Sequence, residues 1–154
     1  MPLQEILEKY PKTGDHLIEV LLEYQNTKMN HYLTEEELKQ IAKYLNVTES
    51  RVSSVVSFYT FFSLEPKGQH VIQICHDVPC YVNDQPSLVK TIKNLLSIDV
   101  GQTTEDKLFT LEYTSCLGAC DKAPAMRIGE KTFTDLTPNK VKAIISEYRG
   151  KRHA

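Results

Sequence analysis

Four cysteines are the residues of this 154-residue chain best equipped for chemistry, and they come as two spaced pairs. Four residues separate Cys75 from Cys80, three separate Cys116 from Cys120, and 35 lie between the pairs. Thiolate sulfur ligates both iron–sulfur clusters and structural zinc. A [2Fe–2S] cluster takes four cysteine thiolates, so each pair could hold one iron. Paired zinc ligands are usually two residues apart but often three or four, so a zinc clip stays open beside the cluster reading. A thioredoxin-type redox dithiol needs C-x-x-C, and the sequence has none. Disulfides need an oxidising compartment, for which there is no signal. His76 follows the first cysteine and could replace a thiolate, as in Rieske centres, but with four cysteines present it reads as a solvated or capping residue. Asp77 and Asp121 adjoin the pairs, where negative charge would lower a reduction potential. Gly118 and the small Ala119 would let backbone N–H groups approach sulfur, and Thr114 and Ser115 could add hydroxyl donors.

Topology is what could unite pairs so far apart in sequence. His70 to Cys75 is a short β-branched run, and Leu108 to Tyr113 alternates, with Phe109, Leu111 and Tyr113 on one face. Between them Leu88, Ile92, Leu95 and Leu96 have helical spacing. A strand–helix–strand crossover makes the two strands parallel, so both end on one sheet edge. Cys75 lies at the end of the first strand and Cys116 just beyond the second. That edge is also where open α/β sheets place their sites. A hairpin follows, Ala125 to Ile128 and Lys131 to Thr134, closed by Gly129-Glu130. Thr137-Pro138 opens a last helix, striped by Val141, Ile144, Ile145 and Tyr148. The expected fold class is α/β (α+β), a sheet layer packed by two helices, as in thioredoxin-like folds.

Residues 1–68 read as a helical bundle, and 69–154 as the domain carrying the cysteines. Leu17, Val20, Leu21 and Tyr24 form one stripe, and Leu38, Ile41, Ala42 and Leu45 another. Thr34 with Glu37 makes a capping box, and Thr48 is a further N-cap. The stripe of Val52, Val55, Val56 and Tyr59 is expected to continue through the rings of Phe58 to Phe62 as packed core. An exposed remainder would mark a partner surface. Pro66-Lys67-Gly68 breaks the helical period.

The bulk numbers exclude several classes. Lys+Arg is 18 against 20 Asp+Glu, a net charge of -2, which gives no reason to expect a nucleic-acid partner. The basic run from Arg149 to Arg152 reads as a solvated tail. No apolar run is long enough for direct membrane insertion, and the N-terminus lacks signal-peptide features, so the expected location is cytoplasmic. No glycine-rich nucleotide motif and no nucleophile–base constellation occurs, so the chain is expected to carry electrons rather than catalyse alone.

The motifs together resemble the thioredoxin-like [2Fe–2S] ferredoxin subunit of the NADH dehydrogenase module. They are Ile41-Ala42-x-x-Leu45, Val55-x-Ser57-Phe58-Tyr59-x-Phe61-Phe62, Pro66-x-Gly68-x-His70, Cys75-x4-Cys80, Gly101-x-Thr103-Thr104-x-Asp106, Phe109-Thr110-Leu111-Glu112, Cys116-Leu117-Gly118-Ala119-Cys120, Ala123-Pro124 and Leu136-Thr137-Pro138. The resemblance implies one [2Fe–2S] cluster per chain on Cys75, Cys80, Cys116 and Cys120, and a larger partner subunit that binds FMN and NAD(H). It also implies a further iron–sulfur subunit, and a helical N-terminal half that packs on the flavin subunit. The complex is expected to be a soluble electron-bifurcating hydrogenase or formate dehydrogenase, with respiratory complex I as the alternative. A zinc-stabilised interaction module without redox chemistry is the remote alternative. Many hydrogenase-type members carry Gly-Thr-Ala in the first cysteine loop, where this chain has His76-Asp77-Val78-Pro79.

Overall fold

The computed structural model describes residues 2–150. Lys151 and Arg152 of the basic C-terminal run lie outside them. The chain divides into two compact units, Met1–Lys67 and Gly68–Ala154.

The first unit is helical: α1 (Leu3–Leu7), a single 3-10 turn (Gly14–His16), α2 (Leu17–Thr27), α3 (Glu35–Tyr44) and α4 (Glu49–Phe58). Apolar stripes on α2, α3 and α4 meet in one core that includes Val20, Leu21, Leu33, Ile41, Leu45 and Val52. The expected capping box forms: Thr34 Oγ1 accepts from the Glu37 amide, and the Glu37 carboxylate accepts from the Thr34 amide. Thr48 caps α4 by accepting from the Arg51 amide. The short α1 and the 3-10 turn carry no periodic signal, because a single turn shows too few positions for a stripe.

Glu37 does more than cap. Its carboxylate also accepts from Lys28 Nζ at 2.8 and 2.9 Å and from the Tyr24 hydroxyl at 2.7 Å. Burial alone would raise its pKa, but the bonds from Lys28, Thr34 and Tyr24 outweigh it and hold the group at about 2. Burial and the same carboxylate push Tyr24 up to about 12. A carboxylate with a depressed folded-state pKa contributes stability above its unfolded value of 4.5, and loses it as pH falls towards about 2. Glu37→Gln is therefore expected to destabilise the unit by about 2 kcal/mol at neutral pH, after discounting for its partial exposure. Urea melts should show that gap closing between about pH 5 and pH 2; a constant gap would mean that charge plays no part.

The expected aromatic continuation of α4 is corrected. The helix stops at Phe58, and Tyr59 is extended, with φ -87° and ψ 121°. Gln25 explains the break. Its side chain, almost fully buried, donates to the Phe61 carbonyl and accepts from the Ser63 amide, both at 2.8 Å, so these backbone groups find partners outside a helix. Phe62 turns into the core, while Phe58 is 76% exposed and Phe61 44%. The packed-core reading thus holds for Phe62 and fails for Phe58 and Phe61.

The second unit is a four-stranded sheet in the order β2-β1-β3-β4. The chain runs β1 (His70–Cys75), α5 (Val78–Val82), α6 (Gln85–Leu96), β2 (Phe109–Thr114), β3 (Met126–Ile128), β4 (Lys131–Phe133) and α7 (Pro138–Gly150). The expected crossover is present: β1 and β2 are parallel, paired from His70 with Phe109 to Cys75 with Thr114. β3 runs antiparallel to β1, and β4 to β3. The core joins Ile72, Ile74, Leu111 and Met126 of the sheet to Leu88, Ile92 and Leu96 of α6 and Val141 and Ile145 of α7.

β2 is an edge strand, and the segment Gly101–Thr104 covers it. The Gly101 amide bonds the Leu111 carbonyl, Leu111 N bonds Gln102 O, and Thr104 N bonds Phe109 O. Asp106 accepts from both Thr104 Oγ1 and the Leu108 amide, which turns the chain back into β2. The Gly-x-Thr-Thr-x-Asp motif is thus an edge guard that fixes the strand leading to Cys116.

Candidate metal centre

β1 delivers Cys75 at its last position, and α5 places Cys80 at its third. Both are buried, at 1% and 2% exposure, in a small cluster with Ala125. Leu117, Ala119 and Ala123 pack against it. The segment between these two cysteines is more than the loop its sequence suggests. It contains the start of the short helix α5, for which Asp77-Val78-Pro79 is the signal, with proline in the first turn.

Cys116 and Cys120 lie in the exposed segment after β2, their sulfurs 3.2 Å apart. Gly118, at φ +76°, occupies the left-handed conformation that glycine tolerates, and its amide donates to Cys116 Sγ at 3.3 Å. That is the amide approach expected of Gly118. A second sulfur donor has no sequence signal: the Ala125 amide bonds Cys80. Ala125 lies 45 residues along the chain from Cys80, and only the β1–β3 pairing brings it there. The donors the structure places on sulfur are therefore amides, rather than the hydroxyls of Thr114 and Ser115.

The two pairs share one electrostatic site. Burial pushes the Cys80 thiol up, Cys75 and Cys120 push it further, and the Ala125 amide opposes them. Cys120 is raised first by its bond with Cys116, then by desolvation, Cys75 and Asp77. The Cys80 and Cys120 thiols resist ionisation because a new thiolate there meets neighbouring sulfur and loses water contact. Irons would supply the compensating positive charge. Among the described residues, no three or more Cys, His, Asp or Glu converge as ligands for a single metal ion. Four thiols in two pairs, with an amide donor on one sulfur of each pair, match the four-thiolate ligand set of a [2Fe–2S] cluster.

Apolar side chains rim this edge. Val78 and Val82 are 73% and 71% exposed, and Tyr81 and Tyr113 are also exposed. Tyr113 shares the face of Phe109 and Leu111, as its alternation implied, but stands past the point where the core covers the strand. No helix among the described residues is long and apolar enough to cross a membrane.

A family model described as thioredoxin-like [2Fe–2S] ferredoxin matches residues 3–149. The HndA component of the NADP-reducing hydrogenase of Solidesulfovibrio fructosivorans is 36% identical over 144 residues, covering 94% of this chain and 83% of the relative. A subunit of the NADH-quinone oxidoreductase of Rickettsia bellii is 35% identical over 147 residues, covering 95% and 88%. An air-oxidised NAD+-reducing [NiFe]-hydrogenase crystal structure superposes on 92% of the chain with a TM-score of 0.79 at 20% identity, a likeness of fold. This chain spans 24% of that hydrogenase chain.

Proposed function

The chain belongs to the thioredoxin-like [2Fe–2S] ferredoxin family, and on that premise we propose that Cys75, Cys80, Cys116 and Cys120 hold one [2Fe–2S] cluster within an NAD(H)-linked oxidoreductase complex. When bound, the cluster supplies reversible one-electron transfer. The chain's residues do the rest. Cys75 and Cys80 hold one half of the site from a buried position, and Cys116 and Cys120 the other half from the surface. The amides of Gly118 and Ala125 stabilise negative charge on sulfur. Leu117, Ala119, Ala123 and Ala125 reduce water access on the protein side. Asp77 adds negative charge near Cys120, which favours a low potential.

The single observation that supports this reading is that the parallel pairing of β1 and β2 ends both cysteine-bearing segments on one sheet edge, with Leu117, Ala119 and Ala123 of the second packed against Cys75 and Cys80 of the first. The chain serves as an electron-carrying subunit and does not turn over NADH alone. Its electrons are exchanged with the FMN of a larger NAD(H)-binding subunit and passed through a further iron–sulfur subunit. The exposed apolar rim at Val78, Tyr81, Val82 and Tyr113 supports docking beside the cysteines. Phe58, Phe61, Leu64 and Met29 are exposed on the helical unit, which supports its packing on that flavin subunit.

The complex is read as a soluble hydrogenase or formate dehydrogenase of the electron-bifurcating kind, operating in the cytoplasm. The likeness to a hydrogenase component favours this. The second reading, the equivalent subunit of respiratory complex I, is favoured by the comparable likeness to the NADH-quinone oxidoreductase protein. Metal and sulfide analysis of anaerobically purified chain, with EPR after dithionite reduction, tests the cluster. The expected result is two irons and two sulfides per chain with a spin-half signal. One zinc with no sulfide would reduce the site to a structural clip.

A further inference from the structure

Two separate loops carry the cysteine pairs, yet a binuclear cluster needs both pairs at one fixed separation. The β1–β2 ladder supplies that registration only as far as its last rung, Cys75 opposite Thr114. Beyond it the strands part, one into α5 and the other into the Cys116 segment. His76 stands at the point of parting. Its backbone amide donates to the Thr114 carbonyl at 3.2 Å, and its ring Nδ1 reaches the same oxygen at 2.8 Å. A carbonyl only accepts, so Nδ1 carries the proton of this bond. The ring also lies against Tyr113, with centroids 5.3 Å apart. One side chain from the first cysteine loop therefore fastens the strand that leads into the second.

Resting on the cluster reading above, we infer that His76 is a positioning residue that clamps the two cysteine loops at the separation the cluster requires, through its Nδ1–H bond to Thr114. It does not ligate. It limits how far Cys116 and Cys120 can drift from Cys75 and Cys80, and with that the ease of cluster loss and the spread of cluster geometries. Asparagine places an amide donor as far from its backbone as Nδ1 is in histidine, so it can remake the bond. Phenylalanine keeps a ring against Tyr113 but has no donor.

The test compares His76→Ala, His76→Phe and His76→Asn in the full-length, cluster-loaded chain. All three keep the four cysteines and are expected to bind iron and sulfide. Ala and Phe should lose the cluster to a chelator on the order of tenfold faster than the unmodified chain, the scale of effects from residues that orient metal ligands. They should also broaden the EPR signal and shift the midpoint potential, while Asn restores all three. Native behaviour of Ala, or failure of Asn to rescue, overturns the clamp. Native behaviour of Phe does so too, by assigning the effect to ring packing. If the unmodified chain binds no iron or sulfide, the cluster reading itself falls. The clamp is then read in the metal-free chain from amide hydrogen exchange over residues 114–120. Faster exchange in Ala with recovery in Asn supports it; equal rates in all forms overturn it.

Discussion

Cys80→Ala and Cys116→Ala are each expected to abolish stable cluster binding, with iron retention more than about a hundredfold weaker. Each removes one of the two thiolates proposed for one iron, and no neighbouring cysteine is left to replace it, since the chain has four. The two variants differ in what they do to the protein. Cys80 is 2% exposed and packs with Cys75 and Ala125, so its loss leaves a small buried void and an unpaired Ala125 amide. Cys116 is exposed, and its loss frees the Gly118 amide and the Cys120 thiol, both of which water can satisfy. A drop in apo-chain stability of about 1 kcal/mol is expected for Cys80→Ala, and next to none for Cys116→Ala. Iron, sulfide and EPR read the cluster; a urea melt of the metal-free chain reads the fold. Cluster loss with an intact fold assigns the cysteines as ligands. A full complement of iron and sulfide in both variants would refute the ligand set.

Gly68→Ala is expected to be the most damaging single change outside the site. A Cβ at this position would lie 2.5 Å from the Phe109 carbonyl carbon and 2.8 Å from its Cα and N. These are backbone atoms of a strand held on both sides. β1 pairs with it through six residues, and Gly101–Thr104 bonds its other edge. Phe109 is itself 1% exposed, so β2 has no free direction in which to yield. The clash would also break the 2.6 Å bond from the Gly68 amide to Thr110 Oγ1. A loss of about 3 kcal/mol follows, at the upper end of overpacking costs. Because β2 ends at Thr114, its displacement should also loosen the cysteine loop beyond it. Gly150→Ala is the control: no atom lies within 4 Å of its added Cβ, and a helical glycine gains from the methyl. Equal melting midpoints for the two variants would show that the contact with Phe109 relaxes freely.

Periodicity and composition determined much of this molecule. The β-branched run His70–Cys75 is a strand at those same residues, because its shortness and β-branched content favour a strand over a helix. The stripes on α2, α3, α6 and α7, the capping box at Thr34 and the N-cap at Thr48 were legible because each is a local arrangement, set by residues three or four positions apart. The parallel crossover that ends both cysteine-bearing segments on one sheet edge was also legible, since one chirality rule fixes the direction of the two strands.

Only the tertiary structure decided the rest. Which aromatic residues of the Phe58–Phe62 run face inward depends on Gln25, more than thirty residues earlier in the chain, whose amide group captures the backbone after α4. The donor on Cys80 comes from Ala125, across a strand pairing that no local pattern encodes. By sequence His76 is a solvated neighbour of a cysteine; the last rung of the β1–β2 ladder puts the Thr114 carbonyl within reach of its ring. The physical reason is common to all three. A sequence pattern records which residues a helix or strand sets side by side, whereas these bonds join groups that become neighbours only after separate elements have packed.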